Sequence, residues 1–208
     1  MTEHSFAFAF STAFTLLGVD TSWIELVAVL LGFAMVLLTI AESHWGWPMA
    51  AASSALYFWL FWANRLYGDA SLQIMFIALA LWGWWLWRRD GAEDHLRIST
   101  QTSLQRTQTL FTGLVLWASV GWLLKSFTDT DVPWWDACPT AFSLVGQYLL
   151  ARKRLENWAV WILVNTVAIG LFAWKGLWLT AALYGVFIAL SVVGWRAWYV
   201  RMTSAQAL

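Results

Sequence analysis

The chain has 208 residues, of which 61% are hydrophobic and 12% charged, and its twelve basic and twelve acidic residues leave a formal net charge of zero. A soluble domain of this size cannot bury that much apolar surface, so lipid must cover part of it and the chain is read as an integral membrane protein. The neutral balance argues against a nucleic-acid partner held on a basic face, and a single cysteine, Cys138, allows neither an intrachain disulfide nor a paired-thiol metal site.

In chain order, residues 1–19 come first as an N-terminal segment. Phe6, Phe8, Phe10 and Phe14 fall within 5–17, a stretch too short to span a bilayer. No basic region precedes it, so a short helix lying at the membrane surface is expected in place of a cleaved signal. Seven runs near spanning length follow, at 22–41, 45–63, 70–87, 110–127, 134–151, 158–174 and 177–200. Arg88 to Thr109 is the long polar stretch between the third and fourth runs and reads as an extramembrane loop. The organisation that results is a first three-helix repeat over 20–90, a cytoplasmic loop and linker helix over 91–130, a second three-helix repeat over 131–200 and a cytoplasmic tail over 201–208.

The repeat is visible in the residues. Gly83-Trp84-Trp85-Leu86-Trp87 is echoed by Gly194-Trp195-Arg196-Ala197-Trp198, with Gln73 and Tyr184 at the same distance upstream. Further back the echo slips, His44-Trp45 answering Asn157-Trp158 and Trp23-Ile24-Glu25 answering Trp135-Asp136-Ala137. Two adjacent triplets of spans would face opposite ways; the fourth run restores the orientation. An all-α bundle of seven transmembrane helices in a 3+1+3 parallel-repeat arrangement is therefore predicted, with a cavity between the halves, the plan of many transporters.

Basic residues orient it. With the N-terminus outside, the cytoplasmic side receives Arg88, Arg89, Arg97, Arg106, Arg152, Lys153, Arg154, Arg196 and Arg201, and the outside keeps Arg65, Lys125 and Lys175. That bias puts the C-terminus in the cytoplasm.

Polar side chains within the runs are Gln73, Gln147, Asn157, Asn165, Thr180 and Tyr184, with Glu25, Glu42 and Asn64 nearer the ends. Each has two readings, as a hydrogen-bonding bridge between helices or as a ligand contact. Gln73 and Trp84 are eleven residues apart and return to one helix face, as do Tyr184 and Trp195. Asn157, Trp161 and Asn165 form a stripe at i, i+4 and i+8. Pro139 lies inside the fifth run and is expected to kink it. His4, His44 and His95 fall outside the spans, no acidic residue sits at mid-membrane, and no phosphate loop, metal-ligand spacing or catalytic set is present. The pattern predicts facilitated diffusion with no cofactor and no metal, and it predicts no enzymatic activity.

Leu66-Tyr67-Gly68-Asp69-Ala70-Ser71-Leu72-Gln73 leading into Trp82-Gly83-Trp84-Trp85-Leu86-Trp87 resembles the PnuC family of bacterial vitamin transporters. So do Trp158-Ala159-Val160-Trp161, Asn165, Lys175-Gly176-Leu177-Trp178-Leu179-Thr180, Leu183-Tyr184 and Gly194-Trp195. The resemblance covers residues 20–200 and extends in layout to the SWEET sugar transporters. It implies a facilitative uniporter for nicotinamide riboside in the bacterial inner membrane, feeding pyridine nucleotide synthesis and driven by cytoplasmic phosphorylation through a riboside kinase. It also implies a homotrimer, and substrate contact at Gln73, Asn157, Trp161, Asn165 and Tyr184. Trp84, Trp195 and Thr180 join that set through the shared helix faces and motifs. Phe76, where the family often has tyrosine, departs from the pattern and leaves thiamine or riboflavin as alternatives. A seven-helix sensor is a further alternative, though Lys175 lies at the outer end of the last run, not deep within it as a retinal lysine would.

The substrate's chemistry suits such residues. Tryptophan faces attract a pyridinium by cation–π interaction, roughly 0.5–2 kcal/mol each. Gln and Asn amides both donate and accept, which matches a carboxamide and ribose hydroxyls.

Overall fold

The computed structural model describes residues 11–16, 19–63, 67–89, 96–128, 130–174, 176 and 178–206. A short antiparallel pair, β1 (Thr12–Leu16) and β2 (Val19–Ser22), precedes seven helices. These are α1 (Trp23–Ile40), α2 (Gly46–Ala63), α3 (Tyr67–Arg88), α4 (Ser103–Phe127), α5 (Pro133–Ala151), α6 (Asn157–Trp174) and α7 (Trp178–Gln206). α1, α4 and α6 are each long and apolar enough to cross a membrane, as are Asp69–Arg88 of α3 and Thr180–Ala205 of α7. The Trp, Ser, Pro and Gln residues of α2 and α5 lower their mean hydropathy, and each packs between its neighbouring helices within its own unit.

One expectation is corrected. The surface helix over 5–17 is not what residues 12–16 form. Thr12, Thr15, Thr21 and Val19 are β-branched, and the segment pairs as a hairpin instead; residues 5–10 lie outside the described residues, as do Asn64, Arg65, His95 and Lys175. Beyond its apolar run, α7 continues as helix to Gln206. The fourth helix also extends beyond its apolar run. It starts at Ser103 within the polar stretch, where Thr102 and Gln105 form a reciprocal capping box (3.3 and 3.0 Å).

The chain forms two compact units, residues 1–88 and 89–208. In the first, α2 packs against both α1 and α3. Ser22 caps α1 by accepting from the Glu25 N–H, and the Ser53 hydroxyl donates to the Ala28 carbonyl at 2.8 Å, joining α2 to α1. In the second unit α4 packs on α5, α5 on α6 and α6 on α7. Phe142 lies over Gly113 and Trp134 over Gly121, while Trp117 Nε1 donates to the Trp134 carbonyl at 2.7 Å. α4 thus packs within the second unit, as the single helix of the 3+1+3 plan.

The internal repeat holds at a constant 111 residues, without the slips read from the sequence. Ala41 N–Leu37 O, Glu42 N–Thr39 O, Ser43 N–Leu38 O and Gly46 N–Ser43 O close the α1–α2 turn. Arg152 N–Tyr148 O, Lys153 N–Leu150 O, Arg154 N–Leu149 O and Asn157 N–Arg154 O close the α5–α6 turn in the same pattern. Glu42 and Lys153 both adopt left-handed backbone, at φ 57° and 47°. Asn157-Trp158 therefore corresponds to Gly46-Trp47, not to His44-Trp45, because backbone geometry fixes the register where side-chain identity misleads. The tryptophans confirm it. Trp47 meets Trp87 edge-on (5.5 Å, 83°), and Trp158 meets Trp198 likewise (5.4 Å, 85°). The Trp47 ring lies so close to Gly83 that a Cβ there would sit 2.5 Å from it, and Trp158 presses on Gly194 in the same way. Only glycine allows this approach.

Candidate functional site

The second unit contains most of the residues expected to form the site. The α5–α6 turn delivers Asn157 as the first residue of α6, wholly buried, with Nδ2 donating to the Arg154 carbonyl at 2.6 Å and Oδ1 without a partner. One turn on, the Trp161 indole lies against Gly146 of α5, where a Cβ would be 3.2 Å from its Cε2. Another turn on, Asn165 is 5% exposed. The stripe at 157, 161 and 165 therefore runs along α6 as the spacing predicted, with Trp161 at the α5 interface.

On α7, Tyr184 stacks on Phe172 of α6 (5.3 Å, 18°) and meets Phe187 edge-on (6.2 Å). This aromatic cluster ties α6 to α7. Thr180 lies in the first turn of α7, and Trp195 follows Gly194 where Trp158 crosses the helix. Both are partly buried.

Gln73 and Trp84 lie on α3 of the first unit and are partly buried. Trp84 Nε1 is buried without a partner, and the Arg88 guanidinium lies 5.2 Å from its ring centroid. Within each unit the set is uncharged and mixes amides, hydroxyls and indoles. Groups of these kinds are chemically able to stack on an aromatic ring and to hydrogen-bond in both directions.

Gln147 is the residue the sequence reading named among polar candidates but did not place in the site. It is 4% exposed, follows the Gly146 that Trp161 covers, and has no hydrogen-bond partner among the described residues. Its spacing of four from Ser143 was the available signal.

At the α5–α6 turn, the segment before α4 docks as a strap. Ser99 N donates to Lys153 O (3.1 Å), Leu155 N to Ser99 O (2.9 Å), and Arg154 Nη1 to Ser99 Oγ (2.9 Å). Glu156 Oε1 accepts from Gln101 N (2.8 Å) and pairs with Arg106 (3.0 Å). No group of His, Cys, Asp and Glu residues able to hold a metal is found among the described residues.

A membrane bundle built from two copies of a three-helix unit, holding buried uncharged polar groups, has the form of a membrane transporter. The chain belongs to the nicotinamide mononucleotide transporter family, whose model matches residues 22–200. It is accordingly a vitamin transporter of the PnuC family. Relatives include the riboflavin/roseoflavin transporter RibM of Streptomyces davaonensis, 29% identical over 92% of this chain and 91% of that protein. The nicotinamide riboside transporter PnuC of Escherichia coli is 23% identical over 87% of each chain. PnuC of Neisseria mucosa is 24% identical over 85% of this chain and 72% of its own length. A crystal structure of the vitamin B3 transporter PnuC shares the fold, with a TM-score of 0.70, 22% identity, and coverage of 88% of this chain and 83% of the other.

Proposed function

We propose that this chain is a facilitative carrier for nicotinamide riboside, acting in the bacterial inner membrane with its N-terminus outside and its C-terminus in the cytoplasm. Cytoplasmic phosphorylation by a riboside kinase keeps the vitamin inside, and the carrier works as a homotrimer. The substrate contacts are Gln73, Asn157, Trp161, Asn165 and Tyr184, with Trp84, Trp195 and Thr180 completing the set. The observation that carries this reading is the buried Asn157 acceptor without a partner, on the same α6 face as Trp161 and Asn165. A cationic pyridinium suits the indoles, and its carboxamide and ribose suit the amides. An uncharged site also favours release, since no buried anion holds the cation.

Riboflavin is the second reading, favoured by the higher identity to RibM (29%) than to the E. coli PnuC (23%). Titrating the purified protein with nicotinamide riboside, nicotinamide, nicotinamide mononucleotide, thiamine and riboflavin decides between them. Saturable binding of the riboside with exclusion of its phosphorylated form is expected. Binding of riboflavin alone would replace the first reading with the second.

A further inference from the structure

The second unit holds polar side chains that the fold leaves unused. Gln147 on α5 and Asn165 on α6 are 4% and 5% exposed, and neither amide meets a hydrogen-bond partner among the described residues. Ser143, one turn before Gln147, has none either. Other hydroxyls nearby behave differently. Thr140, Thr166 and Ser191 each donate to the carbonyl four residues earlier (3.1, 2.7 and 2.7 Å). Asp136, Thr140, Ser143 and Gln147 follow at steps of four, three and four, which lines one face of α5.

The antiparallel packing sets their depth. Gly146 lies against Val160 and Trp161, so Ser143 and Asn165 stand at nearly the same level. Gln147 lies about one turn, roughly 6 Å, further toward the α5–α6 turn. Neither amide is among the fully enclosed polar atoms that lack a partner, so each keeps accessible surface through which a ligand or water reaches it.

We infer that Gln147 is a specificity-determining residue that reads the carboxamide of the vitamin, its N–H₂ meeting the ligand carbonyl and its carbonyl meeting the ligand N–H₂. This rests on the nicotinamide riboside reading. It predicts that the carrier distinguishes a carboxamide from a carboxylate, which has no hydrogen to give.

The test compares wild type with Gln147→Leu, each titrated with nicotinamide riboside, nicotinic acid riboside and riboflavin, and each melted without ligand. Wild type should prefer the carboxamide. Gln147→Leu should lose about tenfold to a hundredfold in affinity for nicotinamide riboside. Its preference over the acid should collapse, and its ligand-free melting temperature should be equal or higher. An unchanged affinity would overturn the inference. So would a lower ligand-free melting temperature, whichever way affinity moved, because the amide would then be serving the fold. Wild type that binds riboflavin and not the riboside would instead overturn the functional reading beneath it.

Discussion

The Nδ2 of Asn157 donates to the Arg154 carbonyl at the start of α6, while its Oδ1 has no partner although the residue is wholly buried. In the first repeat this position is Gly46, where a Cβ would crowd the Met35 carbonyl and the Thr39 hydroxyl at 3.1 Å. The two copies therefore share a turn but not a side chain, and only the second has an amide to offer. Asn157→Ala removes the bond to Arg154, a loss of about 1–3 kcal/mol for a buried pair. Its melting temperature should fall, and vitamin affinity should fall with it through the lost Oδ1. A variant that melts lower but binds as wild type would leave Asn157 a purely structural residue. Gln73, Trp84 and Trp195 were legible as candidates because spacing puts them on one face with their partners. Gln147 was harder to rank, since a sequence shows that an amide lies in a span but not whether another group satisfies it.

At the scale of elements, α4 and the strap before it change the meaning of the 3+1+3 plan. Hydrophobicity marks α4 as a span without a counterpart, which invites the reading of a bare connector. Its packing is continuous, from Arg106 on Glu156 through Phe142 over Gly113 to Trp117 on the Trp134 carbonyl. Exposed apolar side chains such as Phe111, Leu114 and Trp122 cover its outward surface, as lipid contact requires. The strap depends on Glu156, which bonds both Gln101 N and Arg106. Arg106 is mostly exposed, so the ion pair itself contributes at most about 1 kcal/mol. The hydrogen bond from Gln101 adds about another 1 kcal/mol. Glu156→Ala should therefore leave the bundle folded while cleavage at Arg97 becomes faster in limited proteolysis. Equal cleavage rates in the variant and wild type would show that Ile98 burial and the Ser99 bonds hold the strap unaided.

For the whole molecule, the decisive property is the absence from the sequence of an acidic or histidine residue at mid-membrane, where a proton- or sodium-coupled carrier places its relay. Liposomes containing this protein alone should equilibrate labelled nicotinamide riboside without any imposed gradient. A riboside kinase enclosed in the lumen should convert equilibration into accumulation. Uptake above the external concentration driven by a proton, sodium or voltage gradient, with no kinase present, would refute passive transport. Orientation belongs to the same scale. A reporter fused after Leu208 should read cytoplasmic, and the opposite result would reverse the topology drawn from the basic residues.

Composition alone placed this chain in a membrane, because 61% apolar residues cannot be hidden in 208. Run lengths located the seven helices found among the described residues to within a few residues, except that α4 begins seven earlier and α7 ends six later than the runs. Those extensions are polar and amphipathic, so hydrophobicity is blind to them. The tryptophan-glycine echo revealed the repeat, since a glycine beneath an indole is a local requirement that sequence records. Three things waited for the tertiary structure. The constant register came from backbone bonds and left-handed residues at Glu42 and Lys153, which no side-chain pattern specifies. The membership of α4 in the second unit came from contacts between residues distant along the chain. The unmet hydrogen-bonding capacity of Gln147, Asn157 and Asn165 came last, because whether a buried polar group has a partner is a property of its neighbours in space.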